Sequence, residues 1–574
     1  MRKTRRQFLQ EGAVATAGVV LSSPYTRTPA NVEASQRPNI VMILADDMGF
    51  SDIAPYGSEI ATPNLDKLAK GGLKFTQFYN NPRCCPSRAS LMTGVYSQQA
   101  GMGLMTADYG RYPFPGYKGD LSEDCVTIAE ALKAGGYRTA LSGKWHLTPN
   151  KKDFSQQNWP LQRGFEKFFG TIEGAGSYFD PASLARDNDH IEPGEGFFYT
   201  DAIAKNAVDY IDEFGRDDKP FFLYTAFTTP HWPLHAFEAD VQKYKDRYRG
   251  GWDQLRRERH ERQIKMGLVD AKWGLTDRDP RVPAWQVASF KEWEMRRMAV
   301  YAAMIERMDR GIGTILDKLD ERGIADNTLV MFMSDNGGNF EEINDPGDNV
   351  PRDPWMPYKT RDGRRVDRGN KPAVMPGPED SYQSIGIPWG NCTNTPFRLY
   401  KHYAHEGGIS TPFIAHWKNG LKQPAGITHQ LGHETDIMAT CLDIAGVPYP
   451  ATAKSGRKPP KLAGTSLRPI FEDKTRTDRG PMFWEHEGNA AMRDGKWKLV
   501  SRFPDAWELH DMQADRTELH DVSQLYPDRV KEMADQWQAW AKQIGVQPWP
   551  MPQTPRGEQD GAMTAPPYLR HDRP

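Results

Sequence analysis

The sequence is short of cysteine, of net charge and of apolar residues. Five cysteines in 574 residues are too few and too scattered for a disulfide framework, so they reveal no oxidising compartment. A net charge of -2 gives no electrostatic argument for nucleic acid or an anionic membrane, and we expect neither as a stable partner. The hydrophobic share is a modest 38%, but a chain of this length still buries a large core and predicts two or more domains.

The apolar run near the N-terminus is too short to span a bilayer. It covers residues 12–21 and follows TRRQFL at residues 4–9, a pattern typical of a twin-arginine export signal. No cysteine follows the run, which argues against a lipid-anchored product. We therefore predict that residues 1–36 are a signal and linker and that the protein is periplasmic or secreted in a bacterium. A basic disordered tail is the alternative.

A buried parallel strand is predicted for residues 40–45, a continuous apolar run that ends at Asp46 and Asp47. In open α/β sheets, ligand-binding groups collect at the carboxyl ends of the strands. Adjacent carboxylates repel each other, so this pair requires a cation or solvent between them. The pair therefore belongs either to a cation site or to a solvated turn.

Other predicted strands also end beside charged, amide or imidazole side chains. A lone histidine is usually a structural or surface residue, but repeated strand ends of this kind are harder to dismiss. They are residues 137–141 before Lys144 and His146, residues 220–226 before His231, and residues 328–333 before Asp335 and Asn336. A helix predicted at 293–319, with an apolar stripe of helical period, is expected to pack on the sheet.

The oxygen-bearing residues at these strand ends predict a metal site. Asp46, Asp47, Asp335 and Asn336 supply only hard oxygen ligands, which suit Ca²⁺ or Mg²⁺. A site this rich in protein oxygens favours Ca²⁺, and zinc is disfavoured because the histidines are not at metal-ligand spacing.

The stretch NNPRCCPSRASLMTG at residues 80–94 places Cys84 just before a Pro and a Ser, which favour a helix start. Arg88 follows one turn later. A helix N-terminus and a guanidinium both lower a thiol pKa and favour a neighbouring anion. A buried structural cysteine at a helix start is the alternative interpretation.

The pattern Cys84-x-Pro-Ser-Arg88, followed by Leu-x-Thr-Gly, resembles the signature of type I, formylglycine-dependent sulfatases. The resemblance covers nearly the whole exported chain and is strongest towards bacterial arylsulfatases. The segments that carry it are residues 49–52 (GFSD), 61–66 (ATPNLD), 84–94, 143–146 (GKWH), 334–338 (SDNGG) and 401–408.

The resemblance implies an α/β fold of the alkaline-phosphatase type, with a mixed sheet sandwiched by helices. We expect a catalytic domain at residues 37–475. Short predicted strands from residue 481 onwards, followed by an amphipathic helix, indicate a smaller C-terminal α+β domain at residues 476–574 with a Pro-rich tail.

The resemblance also implies the role of each candidate residue. Cys84 is oxidised by a maturation enzyme to formylglycine, whose hydrate is the nucleophile. Asp46, Asp47, Asp335 and Asn336 are implied as ligands of one Ca²⁺, which residue 84 also faces. Arg88 holds the hydrate, while Lys144 and Lys401 bind the sulfate and can compensate the oxyanion.

In the implied mechanism, one hydroxyl of the hydrate attacks sulfur with Asp335 as a plausible base, and a covalent sulfate ester forms. His231 protonates the departing alcohol or phenol. His146 then deprotonates the second hydroxyl, which expels sulfate. The expected activity is that of an arylsulfatase-type sulfuric ester hydrolase acting on a small-molecule or glycan sulfate ester.

Several alternatives and departures stay open. An exo-acting sulfatase of sulfated glycans is the nearest rival; a phosphatase or phosphonate hydrolase and a catalytically inactive binding protein are further ones. Ser410 and Thr411 stand where many relatives carry Arg-Val, and Cys85 gives the motif a second thiol.

Two further regions are candidates for substrate contact. The long segment 339–391 is rich in Pro, Gly and charge, and we expect it over the active site, with Trp355, Tyr358, Lys359 and Arg361 near the substrate. His486 is predicted either to contact substrate from the smaller domain or to be structural.

Overall fold

The computed structural model describes residues 37–150, 155–345 and 356–554. The predicted export signal and Trp355 lie outside the described residues, as does the chain beyond residue 554.

A large mixed β-sheet forms the centre of the molecule. Within the described residues it has eleven strands, with β13 pairing beside β2 and the others in the order β12-β2-β11-β8-β1-β7-β3-β4-β5-β6. The strands are β1 (Asn39–Asp46), β2 (Leu73–Tyr79), β3 (Arg138–Gly143), β4 (Lys167–Thr171), β5 (Leu184–Arg186), β6 (Asp189–His190), β7 (Phe221–Pro230), β8 (Thr328–Ser334), β11 (Ser410–His416), β12 (Gly426–Thr428) and β13 (Gly432–His433). A separate short pair consists of β9 (Asp367–Arg368) and β10 (Ser381–Tyr382).

The central strands are parallel, which explains their continuous apolar sequences. Strand β1 pairs in parallel with β7 on one side and with β8 on the other, and β3 pairs in parallel with β7. Alternate residues of β1 enter two different cores: Val41 and Ile43 face one, and Ile40 and Met42 face the other. Because both faces are covered by helices, neither face needs polar side chains.

Helices lie on both faces of this sheet. One core contains buried residues of α1, α4 and α7, and the other contains buried residues of α2, α3 and α10. The helices of the described residues are α1 (Pro63–Gly71), α2 (Cys84–Thr93), α3 (Ile128–Ala134), α4 (Tyr199–Phe214), α5 (Glu238–Val241), α6 (Gly251–Lys265), α7 (Lys291–Glu321), α8 (Gly386–Thr393), α9 (Glu406–Ile409), α10 (Thr435–Ala445), α11 (Arg468–Phe471) and α12 (Pro527–Ile544). The predicted stripe on α7 is buried against the sheet, as expected.

A smaller antiparallel sheet with one covering helix follows near the C-terminus. Its strands are β14 (Met482–His486), β15 (Asn489–Asp494), β16 (Trp497–Ser501) and β17 (Glu508–Asp511). Met492, Leu499 and Leu509 form a small core with Met533 of α12. The indole N–H of Trp484 donates to the carbonyl of Asn80 (2.9 Å), so this sheet packs directly behind the segment that leads to Cys84.

No helix in the described part of the chain is long and apolar enough to cross a membrane.

Candidate active site and metal centre

The carboxyl ends of the parallel strands bring the predicted residues together. Asp46 ends β1, Asp335 follows β8, His231 follows β7, and Lys144 and His146 follow β3. Because neighbouring parallel strands end at one edge of a sheet, residues far apart in sequence meet there. All five side chains are buried.

Buried cations and carboxylates alternate at this edge. The ammonium of Lys144 lies 2.5 Å from Asp46 Oδ2, and that of Lys401 lies 2.8 Å from Asp47 Oδ2. The Arg88 guanidinium contacts Asp335 Oδ2 through both Nε and Nη2, each at 3.0 Å. Each carboxylate therefore has a cationic partner, which buried charges require.

These three ion pairs do not fully offset the burial and mutual repulsion of Asp46 and Asp335. Burial and the neighbouring Asp46 raise the pKa of Asp335 well above its ordinary value, although Arg88 opposes the shift. Burial acts on Asp46 in the same direction, but Lys144, His231 and Arg88 together bring its pKa below the ordinary value. A further cation between the two carboxylates would allow both to ionise.

The donor set fits a hard divalent cation. Asp46 Oδ1 and Asn336 Oδ1 are buried and have no hydrogen-bond partner among the described residues. The amide Nδ2 of Asn336 donates to Asp47 Oδ1 (2.8 Å), which leaves the Asn336 oxygen free to bind an ion. Unpartnered buried oxygens of this kind are the ligands that Ca²⁺ and Mg²⁺ prefer.

The loop after β1 is held by residues to which the sequence analysis assigned no role in the site. Asp47 adopts a left-handed conformation (φ 62°), and Asp52 accepts a hydrogen bond from the backbone N–H of Gly49 (2.8 Å). Tyr301 Oη (2.8 Å) and Arg259 Nη1 (2.7 Å) also donate to Asp52. This buried network fixes the turn that carries both candidate metal ligands.

Helix α2 presents Cys84 at its first position, with the side chain buried. Hydrogen bonding from Cys85 and the charges of Lys144 and His146 hold the pKa of the Cys84 thiol well below its ordinary value, against the effect of burial. Asn81 anchors the segment before the helix, because its Nδ2 donates to Glu434 Oε1 (2.6 Å) and Ser90 Oγ (3.0 Å).

Two imidazoles flank this thiol and the carboxylates. His146 has φ 56°, and burial together with Lys144 lowers its pKa to about 4. A Cβ atom placed on Gly174 would lie 2.0 Å from His146 Cε1, so any larger residue there would displace this ring. His231 Nδ1 lies 2.7 Å from the carbonyl of Trp232, and its Nε2 lies 3.4 Å from Asp47 Oδ2.

The start of the predicted covering segment lies at the site. Asn339 Nδ2 donates to Asp47 Oδ2 (2.8 Å), and Glu341 Oε2 lies 3.6 Å from Lys401 Nζ. Sequence reasoning missed both residues, although they follow directly after the SDNGG motif. The indole N–H of Trp232 also donates to Glu341 (2.8 Å).

The contacts of Tyr358, Lys359 and Arg361 are with other residues of the chain, and their predicted contact with substrate stays a prediction. Arg361 donates to the carbonyls of Pro193 and Gly194, Lys359 forms an antiparallel backbone β-bridge with Arg365, and the Arg368 guanidinium covers the ring of Tyr358. These contacts tie the segment to itself and to a neighbouring loop.

His486 is fully buried, and its Nδ1 lies 3.3 Å from the carbonyl of Gly103.

Ser410, one of the departures from the family pattern, lies beside a cation. Arg516 Nη2 donates to Ser410 Oγ (2.8 Å), and Arg516 Nε contacts Glu406 (3.2 Å). A guanidinium from the C-terminal part of the chain is therefore present beside Ser410.

Calcium should stabilise the metal-free protein. Because the ion binds oxygens that are otherwise unpartnered in a buried site, we expect a rise in melting temperature that corresponds to about 2.7 kcal/mol at 100 times the Kd. Asn336→Ala should remove most of this rise, whereas Asn419→Ala, at an exposed loop, should keep it. An equal calcium effect in both variants, measured by thermal unfolding, would place the ion elsewhere.

Comparisons with known proteins agree with this geometry. A family model described as Sulfatase matches residues 38–447, and one described as N-sulphoglucosamine sulphohydrolase, C-terminal, matches residues 397–543. The chain is similar to the arylsulfatase of Klebsiella aerogenes, with 32% identity over 476 residues that cover 79% of this chain and 96% of that protein. It is also similar to an uncharacterized sulfatase of Schizosaccharomyces pombe, with 32% identity over 551 residues that cover 89% of this chain and 95% of that protein.

Among solved structures, the chain resembles Ps i-CgsB in complex with k-i-k-neocarrahexaose. The TM-score is 0.64 at 24% identity, over 93% of this chain and 99% of that one. The expected alkaline-phosphatase-like α/β fold, with its C-terminal antiparallel sheet, is confirmed. Since the Sulfatase model spans more than half of the sequence, the chain belongs to the sulfatase family.

Proposed function

We propose that the protein hydrolyses sulfate monoesters, with aryl sulfates as the preferred class, after Cys84 is converted to formylglycine. The observation that carries the proposal is the position of Cys84 at the start of α2, with Lys144 and His146 close enough to shift its pKa. Cations and imidazoles around one reactive position suit an anionic substrate and proton transfer on both sides of it.

The converted residue 84 would supply a hydrated aldehyde as the nucleophile. A Ca²⁺ ion held by Asp46, Asp47, Asp335 and Asn336 would supply Lewis-acid polarisation of a sulfate oxygen. Arg88 lies one helical turn from residue 84 and is fixed by Asp335, so it can orient the hydrate. Lys144 and Lys401 provide positive charge for the remaining sulfate oxygens.

The two histidines suit opposite proton-transfer roles. With a pKa lowered to about 4 by burial and Lys144, His146 is neutral at pH 7 and can accept a proton from the hydrate. The Trp232 carbonyl fixes the ring of His231 at Nδ1, so Nε2 faces the site and can protonate the leaving oxygen. Burial and Asp46 raise the pKa of Asp335, and a cation bound beside it would let the carboxyl ionise and accept a proton during the attack on sulfur.

The surroundings of His231 support an aryl leaving group. The half-buried indole of Trp232 lies 4.5 Å from the His231 ring, centroid to centroid. Its N–H bond to Glu341 and its packing beside Ile343 and Tyr382 hold it in place. A fixed aromatic surface beside the general acid favours stacking with a planar leaving group. The similarity to the Klebsiella arylsulfatase points the same way.

A sulfated glycan is the second candidate, because polar groups lie beside the same indole. Arg83 and His402 both contact Glu341 Oε1, at 3.6 and 3.2 Å. Such groups suit the hydroxyls of a sugar, whose apolar face also stacks on indole.

Export through the twin-arginine route to the periplasm or medium remains part of the proposal, with conversion of Cys84 by a maturation enzyme. Its support is the sequence of the N-terminal segment alone.

The test is sulfate release by protein co-expressed with a maturation enzyme, with residue 84 identified by mass spectrometry. We expect release from nitrophenyl sulfate, and none from the Cys84→Ala variant. Release from a panel of sulfated sugars alone would replace the aryl assignment with the glycan one. Turnover of nitrophenyl phosphate without sulfate turnover would contradict sulfatase activity.

Gly174→Ala should impair turnover by displacing the His146 imidazole, because the added Cβ overlaps that ring. We expect kcat to fall by at least about 10-fold, since general-base catalysis is typically worth 10²–10⁴. Gly194→Ala is the matched control, because a Cβ placed on Gly194 would meet no atom within 4 Å beyond its chain neighbours, and its φ is not positive. Steady-state kinetics that leave both variants unchanged would remove His146 from the mechanism.

A further inference from the structure

A second set of potential metal ligands lies beside the oxygen site, and its chemistry is soft. Ligand atoms of Cys84, Cys85 and His146 all lie within 4.8 Å of one another, and all three side chains are buried. None of the described cysteines forms a disulfide. Thiolates and imidazole bind zinc-class ions, whereas calcium selects the carboxylates.

We propose that the unconverted chain, in which residue 84 is still cysteine, binds one thiophilic cation of the zinc class through Cys84 Sγ, Cys85 Sγ and a ring nitrogen of His146. Solvent would complete the tetrahedron. Binding replaces the protons of the two thiols, which pass to the buffer, and no electron transfer is involved.

The distances allow such a site. A tetrahedral zinc with bonds of about 2.3 Å to sulfur and 2.0–2.1 Å to nitrogen separates its ligand atoms by roughly 3.5–3.8 Å. Small side-chain rotations bring the three groups from within 4.8 Å to that separation. His146 Nδ1 is buried without a hydrogen-bond partner among the described residues, so at least one ring nitrogen is not engaged by the protein.

The charges at the site also allow a cation there. Lys144 acts on both Cys84 and His146, but its charge is paired with Asp46, and the charge of Arg88 is paired with Asp335. The two thiolates therefore bring negative charge that a divalent ion neutralises. The N-terminus of α2 favours the thiolate of Cys84, whereas burial and the neighbouring Cys84 raise the pKa of the Cys85 thiol well above its ordinary value, so the ion must displace that proton.

The other soft cluster of the described residues is less suitable. Ligand atoms of His402, His486 and Glu487 also lie within 4.8 Å of one another. The Arg83 guanidinium contacts His402 directly, which places a positive charge where the ion would bind.

Conversion of Cys84 to an aldehyde removes one of the two sulfur ligands, so the soft site belongs to the unconverted chain. The loss of the soft site on conversion of Cys84 rests on the proposed function. Metal binding by the unconverted chain does not, because it requires no turnover. Cys85 is the residue that distinguishes this site from one with a single thiol.

The test is a Co²⁺ titration of full-length protein made without a maturation enzyme, with residue 84 confirmed as cysteine and excess Ca²⁺ present. We expect one Co²⁺ per chain, near-ultraviolet thiolate-to-cobalt absorption, visible bands of tetrahedral Co²⁺, and displacement by Zn²⁺. Cys84→Ser and Cys85→Ser should each weaken binding by at least about 10-fold, since even changes behind metal ligands cost that much. Cys85→Ala provides a second variant at the same position.

Cys125→Ser, at a buried thiol outside the cluster, is the matched control and should bind Co²⁺ normally. Thermal unfolding with Ca²⁺ verifies that each variant is folded. Absence of the charge-transfer band, or equal binding by the Cys85 and Cys125 variants, would overturn the soft site. Neither result depends on sulfate release, so failure of this proposal and failure of the proposed function are distinguishable.

Discussion

The structure depends on the burial of like charges at the ends of β1 and β8. Asp46, Asp47 and Asp335 are each at most 1% exposed, and their mutual repulsion in this environment must be compensated. Lys144, Lys401 and Arg88 provide part of that compensation through direct contacts. Removal of one partner from a buried ion pair typically costs about 3–5 kcal/mol, so the site strongly constrains its surroundings. A bound divalent cation would compensate the remaining repulsion between these carboxylates most simply.

The same constraint explains why the smaller C-terminal sheet packs so closely on the catalytic part of the chain. Glu406 is fully buried, and Lys498 lies 2.9 Å from its Oε1 while Arg516 lies 3.2 Å from its Oε2. Both cations come from the C-terminal segment. Arg516 also donates to Ser410 Oγ, so the same guanidinium ties the start of β11 to the C-terminal segment.

Much of the fold and of the site was predictable from sequence because parallel strands have a simple signature. Continuous apolar runs predicted β1, β7 and β8, and the polar residues just after them are the ones that the structure brings together. The Cys84 motif was recognisable because its spacing is specific. Domain bounds, export and the catalytic roles stay predictions, since no described contact tests them.

The remaining site residues depend on how the loops fold back onto the sheet, and no local sequence pattern predicts that. Asn339 and Glu341 reach the site because the segment after β8 turns back on Asp47 and Lys401. Asp52 and Gly174 matter only through the neighbours that the fold gives them. The composition of segment 339–391 suggested that Arg361 contacts the substrate. In the structure, its guanidinium donates to the carbonyls of Pro193 and Gly194.

Anomalous diffraction from crystals of the converted protein grown with Ca²⁺ would test the charge balance most directly. The account predicts a single strong peak within bonding distance of Asp46 Oδ1 and Asn336 Oδ1, the two buried oxygens without hydrogen-bond partners among the described residues. A refined structure in which these oxygens bind only protein groups, with no ion between the carboxylates, would contradict it.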